Sequence, residues 1–313
     1  MRPPRADPNG SGEATRERPD RPPFTVVLPV FDEEEGVIAT LDALQRVLQG
    51  SANTYELLVV DDGSTDATAR ILAARSDVTV LRHPDNRGYG AALKTGIRGA
   101  RHALVVVMDA DGTYAAGAVP ALVDACADVD MVVGARIGRN VSSAKLRSVV
   151  KWCFRQFAQW MTRTRIPDLN SGLRVFHRPL AERFMGVLPN GFSFTTTITV
   201  ASILERRAVR FEVVDYLPRI GRSKLHPLRD TLRIARQLLR LGMVFAPFRT
   251  TVPLACALAL AFIASAARHM VTVHRVFTCD VAWLVAAAVT LAVGVRAEQR
   301  VRRRRSLAEL VRS

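Results

Sequence analysis

Two aspartates one residue apart are the first candidates for chemistry in this chain. They lie in the segment VVVMDADGTY, where the apolar run Val105–Met108 precedes Asp109, Asp111 and Gly112. Carboxylates at positions i and i+2, where a strand ends, can both turn toward one divalent cation, and Mg²⁺ prefers oxygen ligands. A bound cation would also neutralise the repulsion between the two charges. An exposed aspartate-rich turn is the alternative interpretation of the same residues.

The segments around this pair alternate between strand and helix patterns. Near-continuous apolar strands between amphipathic helices predict an α/β fold with a mainly parallel sheet covered on both faces. Ligands in such sheets bind at the carboxyl ends of the strands, where Asp61, Asp62, Asp109 and Asp111 fall. The predicted strands are 24–30, 55–62, 78–83, 103–109 and 131–136, and the predicted helices are 33–50, 66–75 and 88–101.

Local signals predict how these helices begin and end. Acidic residues from Glu33 onward are expected in the first turn of the first helix, and Gly50 is expected to close it. Ser64 or Thr65 is expected to cap the second helix. The GYG segment at 88–90 opens the third helix, and a turn with close helix packing explains it better than a dinucleotide loop.

Charge is distributed unevenly along the 313 residues, whose formal net charge is +15. Residues 24–135 contain 8 basic and 16 acidic residues, whereas residues 136–178 contain 10 basic and 1 acidic residue. An acidic half followed by a basic half indicates two partners of different character. Nucleic acid is a partner that basic proteins often bind, but the membrane features of this chain account for the same charges. The four cysteines form no CxxC pair, which is typical of a reducing compartment.

The C-terminal half contains apolar and basic helical patterns. The helix expected at 145–161 mixes basic and apolar residues, which fits either a helix packed on its own core or one lying at a bilayer interface. The similar segment 228–248 favours the interface. Residues 250–267 hold no charge, and 277–295 hold only Asp280, so both approach the length of a spanning helix.

The charges that flank these two segments predict their orientation. RAEQRVRRRR follows the second segment, whereas the loop between the segments holds only Arg268 and Arg275. The positive-inside rule therefore predicts a hairpin with both ends, and the α/β domain that precedes it, on the cytoplasmic side. Two buried helices of a soluble core are the alternative. The expected organisation is a disordered tail (1–23), an α/β domain (24–228), an amphipathic interface segment (229–249), two transmembrane helices (250–295) and a basic cytoplasmic tail (296–313).

Six motifs occur in order along the chain: VVLPVFDEEEG, ELLVVDDGSTDAT, NRGYGAALKTGI, VVVMDADGTY, NSGLRVF and GRSKL. Together they resemble the family 2 glycosyltransferases with the GT-A fold, which is Rossmann-like. The resemblance is closest to the branch of polyprenyl-phosphate sugar transferases typified by dolichol-phosphate mannosyltransferase, and it covers about residues 24–225.

The resemblance implies roles for individual residues. The donor nucleotide sugar would be bound by Pro29, Phe31, Glu33, Val60, Asp62, Asp109, Ala110, Asp111, Arg219 and Lys224. Asp109 and Asp111 would hold Mg²⁺ or Mn²⁺, with Thr113 where close relatives often have a glutamine. Arg136, Arg147 and Lys151 would bind the acceptor phosphate. Asp111 and Asp168 are the candidate catalytic residues, with Asp168 as a base, an orienting residue or part of a structural loop.

The implied activity is inverting transfer of a hexose from a GDP- or UDP-sugar to a polyprenyl phosphate at the membrane. A lipid phosphate is already an anionic nucleophile, so the reaction demands a cationic pocket rather than a strong general base. Three alternatives remain open at this point: a family 2 enzyme that acts on a glycan or protein acceptor, a membrane-tethered nucleotide-sugar binder without turnover, and a basic membrane-surface or nucleic-acid binder.

Overall fold

The computed structural model describes residues 22–50, 54–136, 145–221, 227–275 and 277–310. Several predictions fall outside this part: most of the N-terminal tail, Lys224, and the side chains of Arg147 and Lys151. Strands are β1 Phe24–Val30, β2 Tyr55–Asp61, β3 Thr79–Arg82, β4 Leu104–Val107, β5 Met131–Arg136, β6 Arg174–His177 and β7 Val209–Val214. Helices are α1 Val37–Gln49, α2 Thr68–Ala73, α3 Tyr89–Gly99, α4 Ala118–Ala125, α5 Lys145–Thr162, α6 Arg178–Phe184, α7 Phe194–Leu204, α8 Pro227–Phe245, α9 Pro247–Val273 and α10 Thr278–Leu310.

The described strands form one seven-stranded sheet in the order β3-β2-β1-β4-β6-β5-β7. The expected mainly parallel sheet is confirmed, with one reversed strand: β6 is antiparallel to both β4 and β5. Because β6 runs the other way, the segment that precedes it reaches the same edge of the sheet as the segments that follow β1, β2, β4 and β5. That edge is where the candidate residues collect.

Two apolar clusters cover the two faces of the sheet. One packs α3 and α5–α8 against the sheet, and the other packs α1, α2 and α4 against the opposite face. Helix α7 is buried almost all round, although its sequence FTTTITVASIL is rich in threonine. Its hydroxyls are satisfied locally, since Thr197 and Thr199 donate to main-chain carbonyls four residues earlier. Such bonding lets polar side chains lie in an apolar interior.

Two predictions about helix starts are wrong. Helix α1 begins at Val37, so no acidic residue lies in its first turn. The glutamates before it serve other contacts: Glu34 Oε2 accepts a hydrogen bond from Ala67 N at 2.9 Å. Neither Ser64 nor Thr65 caps α2, because the cap position is Ala67. Ser64 Oγ instead accepts from the main-chain N–H of Asp32 at 3.0 Å, which ties the loop after β2 to the loop after β1.

Helices α9 and α10 form the C-terminal hairpin, and residues 247–273 and 278–301 are long and apolar enough to cross a bilayer. The two helices approach closely at Gly294, where an added Cβ would lie 1.9 Å from Thr251 Oγ1. At the turn between them, the Asp280 carboxylate is fully buried and accepts hydrogen bonds from the Ser265 hydroxyl and from Phe277 N. His269 Nδ1 lies 2.9 Å from Asp280 Oδ2.

The hairpin is joined directly to the sheet domain through α5. Trp160 Nε1 donates to the main-chain oxygen of Arg249 at 3.0 Å, and Arg249 Nη1 donates to the main-chain oxygen of Met161 at 2.7 Å. Helix α8 approaches α9 at Gly242, whose added Cβ would lie 2.1 Å from Thr250 Oγ1. The C-terminal end of α5 therefore contacts the first turn of α9.

Candidate active site

Asp109 and Asp111 follow β4 at the carboxyl edge of the sheet, as expected. Their surroundings differ, because Asp109 faces the α3 side and Asp111 faces the loop after β7. Asp109 Oδ1 accepts a hydrogen bond from Tyr89 Oη at 2.8 Å. Burial, followed by the charge of Asp111, raises the pKa of Asp109 to about 6. The two carboxylates are therefore close enough for the charge of Asp111 to act on Asp109.

The segment before β6 approaches Asp109 from the opposite side. A Cβ added to Gly172 would lie 2.0 Å from Asp109 Oδ2, so any other residue here would displace the Asp109 carboxylate. The segment is held by Tyr114, whose hydroxyl accepts from Gly172 N at 2.7 Å and lies 3.2 Å from Ser171 Oγ. Asp109 is therefore enclosed between the Tyr89 hydroxyl and the Gly172 main chain.

Asp111 is held by its own turn and by an arginine from the far end of the domain. Asp111 Oδ1 accepts from the Thr113 hydroxyl at 2.6 Å and from Thr113 N at 3.1 Å. Arg219 Nη1 lies 3.3 Å from Asp111 Oδ2. The same guanidinium donates from Nη2 to Glu33 Oε1 at 2.9 Å. Three residues expected to bind the donor, Glu33, Asp111 and Arg219, thus meet at one point.

The loop that carries Arg219 lies along the aspartate segment. Ile220 N donates to Asp111 O at 3.0 Å and Leu217 N donates to Thr113 O at 2.9 Å. The loop turns at Gly221, whose φ of 84° is readily adopted by glycine. These main-chain hydrogen bonds fix the position of Arg219 relative to Asp111.

The expected base-binding positions lie along β1 and β2. Pro29 and Val60 are cross-strand neighbours with buried side chains, so their main chains are what they can offer a nucleotide. Phe31 is half-buried just beyond β1, and Ala110 is buried between the two aspartates. These positions are close to the segment of Asp109 and Asp111 because β1 pairs with both β2 and β4.

Asp62, which is predicted to bind the donor, is held by the loop that leads into α3. Its side chain is buried, and its Oδ2 accepts from Gly88 N at 2.7 Å. Its Oδ1 accepts from Arg87 N at 3.1 Å and lies 2.6 Å from His83 Nδ1. Asp62 therefore organises the loop that leads into α3 and positions Tyr89.

Arg136 and Asp168 form a closely bonded ion pair at the end of β5. Arg136 Nε lies 2.6 Å from Asp168 Oδ2, and its Nη2 lies 3.0 Å from Oδ1. Burial raises the pKa of Asp168, but the hydrogen bonds and charge of Arg136 outweigh it and hold that pKa below its usual range. The Arg136 guanidinium also lies 5.2 Å from the centre of the Tyr216 ring. Asp168 is therefore an ionised partner of Arg136 and a weak base.

Two contributors to the site were not predicted from the sequence. Tyr89 belongs to GYG, which was interpreted only as a turn. Arg174 is fully buried on β6, and its guanidinium donates to Thr195 O at 3.0 Å and to Thr199 Oγ1 at 3.1 Å. Burial lowers the pKa of Arg174, while nearby Tyr89, Asp109 and other acids oppose that change. A charged residue inside the apolar strand LRVF was the available signal.

A mainly parallel sheet with an aspartate pair, an arginine and a glutamate at its carboxyl edge is the arrangement expected of the GT-A fold. The sequence profile of Glycosyl transferase family 2 matches residues 25–185, and the chain belongs to this family. A structure of glucosyl-3-phosphoglycerate synthase from Mycobacterium tuberculosis, solved with Mn²⁺, UDP and glucosyl-3-phosphoglycerate, has a TM-score of 0.53 at 22% identity. It covers 70% of this chain and 80% of its own, which confirms the expected fold.

Sequence relatives include enzymes named for lipid-phosphate acceptors. The dolichyl-phosphate beta-glucosyltransferase of Dictyostelium discoideum is 24% identical over 70% of this chain and 73% of its own length. The dodecaprenyl-phosphate galacturonate synthase of Rhizobium johnstonii is 28% identical over 51% of this chain and 49% of its own. The low-salt glycan biosynthesis hexosyltransferase Agl6 of Haloferax volcanii is 26% identical over 70% and 53%. The chain spans about half the length of the last two relatives.

Proposed function

We propose that this protein is an inverting hexosyltransferase that moves a sugar from a nucleoside-diphosphate donor to a polyprenyl phosphate at a membrane surface. The observation that carries this proposal is the meeting of Asp111, Arg219 and Glu33 beside Asp109, within a domain joined through α5 to an apolar hairpin. Family membership and relatives that are named polyprenyl-phosphate and dolichyl-phosphate sugar transferases support it.

Asp109 and Asp111 fit a divalent cation. Gly172 lies directly against the Asp109 carboxylate, and burial followed by the charge of Asp111 raises the pKa of Asp109 to about 6. Their oxygens are the ligands that Mg²⁺ and Mn²⁺ prefer. When bound, such a cation would offset the negative charge that develops on the leaving diphosphate.

The remaining donor contacts come from the residues around this pair. The Arg219 guanidinium lies beside the Asp111 carboxylate and supplies a preorganised positive charge for the diphosphate. Glu33 orients that guanidinium through the 2.9 Å contact and, with Phe31, borders the space for the ribose and base. The main chains at Pro29 and Val60 would read the base. Lys224 is proposed as a second phosphate contact.

On the acceptor side, Asp168 positions Arg136. Two of the donor atoms of the guanidinium are committed to Asp168, which leaves Nη1 and the second Nη2 hydrogen for an acceptor phosphate. A phosphate oxygen attacks the anomeric carbon, the bond from that carbon to the diphosphate breaks, and the nucleoside diphosphate leaves with inversion. Arg147 and Lys151, one and two turns into α5, are proposed to extend the same cationic pocket.

The membrane attachment and orientation belong to the same proposal. Helices α9 and α10 would span the bilayer, and α5 and α8 would lie at its surface. Basic residues beyond residue 295 favour the cytoplasmic side for the chain end and the sheet domain. An anionic acceptor phosphate at the bilayer surface would then face Arg136.

Purified full-length protein in nanodiscs, given Mn²⁺, undecaprenyl phosphate and radiolabelled UDP- and GDP-hexoses, should form a charged glycolipid from at least one donor. Asp111→Asn should lower the activity at least 100-fold, because the cation that would offset the diphosphate charge would lose a carboxylate ligand. Asp128→Asn changes an exposed aspartate in the α4–β5 loop and should leave activity unchanged. A panel in which no sugar reaches the lipid, or in which Asp111→Asn stays fully active, would overturn the proposal.

A further inference from the structure

A recess of about 350 Å³ lies between α5 and the loop that follows it, apart from the aspartate site. Its lining contains two guanidinium groups, two amide groups and no carboxylate: Arg155, Gln156, Gln159, Arg165, Ile166 and Pro167. Gln159 Oε1 accepts from Ile166 N at 2.9 Å, and Arg155 Nη1 is 3.4 Å from Pro167 O. These contacts hold the loop against the helix, so hydrogen bonds within the protein fix the shape of the recess.

The recess carries uncompensated positive charge. Among the described residues, neither Arg155 nor Arg165 has an ion-pair partner within 4.0 Å. Asp168 is the one acidic residue in the sequence between Asp130 and Glu182, and Arg136 already holds its carboxylate. The ligand that suits two guanidinium groups and two amides is a phosphate-type anion, since arginine binds phosphate through paired N–H groups.

The position of the recess relates it to the bilayer. Gln159 is adjacent to Trp160, whose indole contacts Arg249 in the first turn of α9. The side chain of Trp160 is 52% exposed and that of Phe248 is 40% exposed, so two aromatic rings are exposed near the junction of α5 and α9. Aromatic side chains of this kind are enriched where a bilayer meets water. A bilayer crossed by α9 would therefore place the recess near the lipid headgroups.

We infer that this recess binds the phosphodiester headgroup of an anionic phospholipid. The inference rests on the membrane attachment proposed above, and it assigns Arg155 and Arg165 to a lipid other than the acceptor. The bound lipid holds the C-terminal end of α5 against the membrane surface and keeps the basic face of the helix oriented toward the bilayer.

The test measures lipid retention by the full-length protein, using phosphatidylglycerol and phosphatidylcholine as probes in a neutral detergent and native mass spectrometry as the readout. The parent should retain phosphatidylglycerol in preference to phosphatidylcholine. Arg155→Gln with Arg165→Gln should weaken that retention about tenfold, because two attractive charges are removed. The control, Arg70→Gln with Arg101→Gln, removes two exposed arginines from the other end of the domain and should match the parent.

Three results would overturn the inference: equal retention in the recess variant and the parent, equal loss in the recess variant and the control, or inorganic phosphate binding as tightly as phosphatidylglycerol. If the double variant does not fold, Arg165→Gln alone, at an exposed loop position, should still weaken retention severalfold. The assay contains no nucleotide sugar. A protein that retains lipid here but transfers no sugar contradicts the proposed function alone, and one that transfers sugar with unchanged retention in the variant contradicts this inference alone.

Discussion

The main chain of Gly172 lies against the Asp109 carboxylate so closely that a Cβ on Gly172 would be 2.0 Å from Oδ2. The strand that follows Gly172 is the reversed β6, and its register with β4 sets this approach. The position of the first aspartate is therefore determined by a glycine more than sixty residues away in the chain.

Gly172→Ala should lower sugar transfer about 100-fold while the protein stays folded, because a displacement of about 1 Å at a reacting group costs that much. The measurement is initial rate, with circular dichroism as the folding check. Gly186→Ala, at a glycine with open space around it, is the matched control and should transfer sugar normally. Parent-like activity of Gly172→Ala would mean that Asp109 can move without consequence.

Tyr89→Phe should weaken Mn²⁺ binding about tenfold, since hydrogen bonds that orient a metal ligand contribute at least that much to affinity. The hydroxyl that is lost donates to Asp109 Oδ1 at 2.8 Å. Mn²⁺ titration followed by electron paramagnetic resonance needs no sugar donor. Tyr55→Phe, at the amino end of β2, removes a hydroxyl away from the site and should bind Mn²⁺ as the parent does. If Tyr89→Phe and Tyr55→Phe bind Mn²⁺ with the same affinity, Tyr89 does not orient Asp109 for the metal.

Asp168→Asn should destabilise the protein by about 3 kcal/mol at neutral pH, because the largely buried charge of Arg136 would lose its partner. The pKa of Asp168 in the folded protein lies below its unfolded value of about 3.9. The stabilisation is therefore complete above about pH 4 and is lost as pH falls through the folded pKa. Urea unfolding in detergent, followed by tryptophan fluorescence, should show the gap between variant and parent closing in that acidic range. A gap that is constant with pH would exclude the ion pair as its source.

Gly294→Leu should separate α9 from α10, because the space beside Gly294 is filled by Thr251. We expect a loss of about 2 kcal/mol, the usual cost of overpacking, seen as a lower thermal transition in detergent. Ala292→Leu adds a comparable side chain on an exposed face of the same helix and should melt with the parent. Equal transitions in the two variants would show that the hairpin packs elsewhere.

The sequence was most informative where a segment is buried on both faces. β1 and β5 were predicted at their observed bounds, since a parallel strand covered by helices is a continuous apolar run. Helix α7 could not be found in this way. It is enclosed by protein on nearly all sides, so it has no polar face and no helical period to detect.

In the site, residues from one turn could be recognised from the sequence, whereas contacts between distant elements could not. Asp109 and Asp111 are recognisable from their spacing, because both ligands come from one turn. Tyr89 reaches Asp109 from another element, and that contact depends on how α3 packs on the sheet. Arg174 is an unusual residue in an apolar strand, but its partners on α7 are known only once that helix is placed.

Helix α10 has 33 residues, and at 1.5 Å per residue it is about 50 Å long. The hydrocarbon layer of a bilayer is about 30 Å thick. In a hairpin that crosses a bilayer, roughly 20 Å of this helix must emerge into water, and its arginine-rich turns occupy that length. Lengthening or shortening this part by whole turns would change how far its positive charges lie from the bilayer without altering the residues at the carboxyl edge of the sheet.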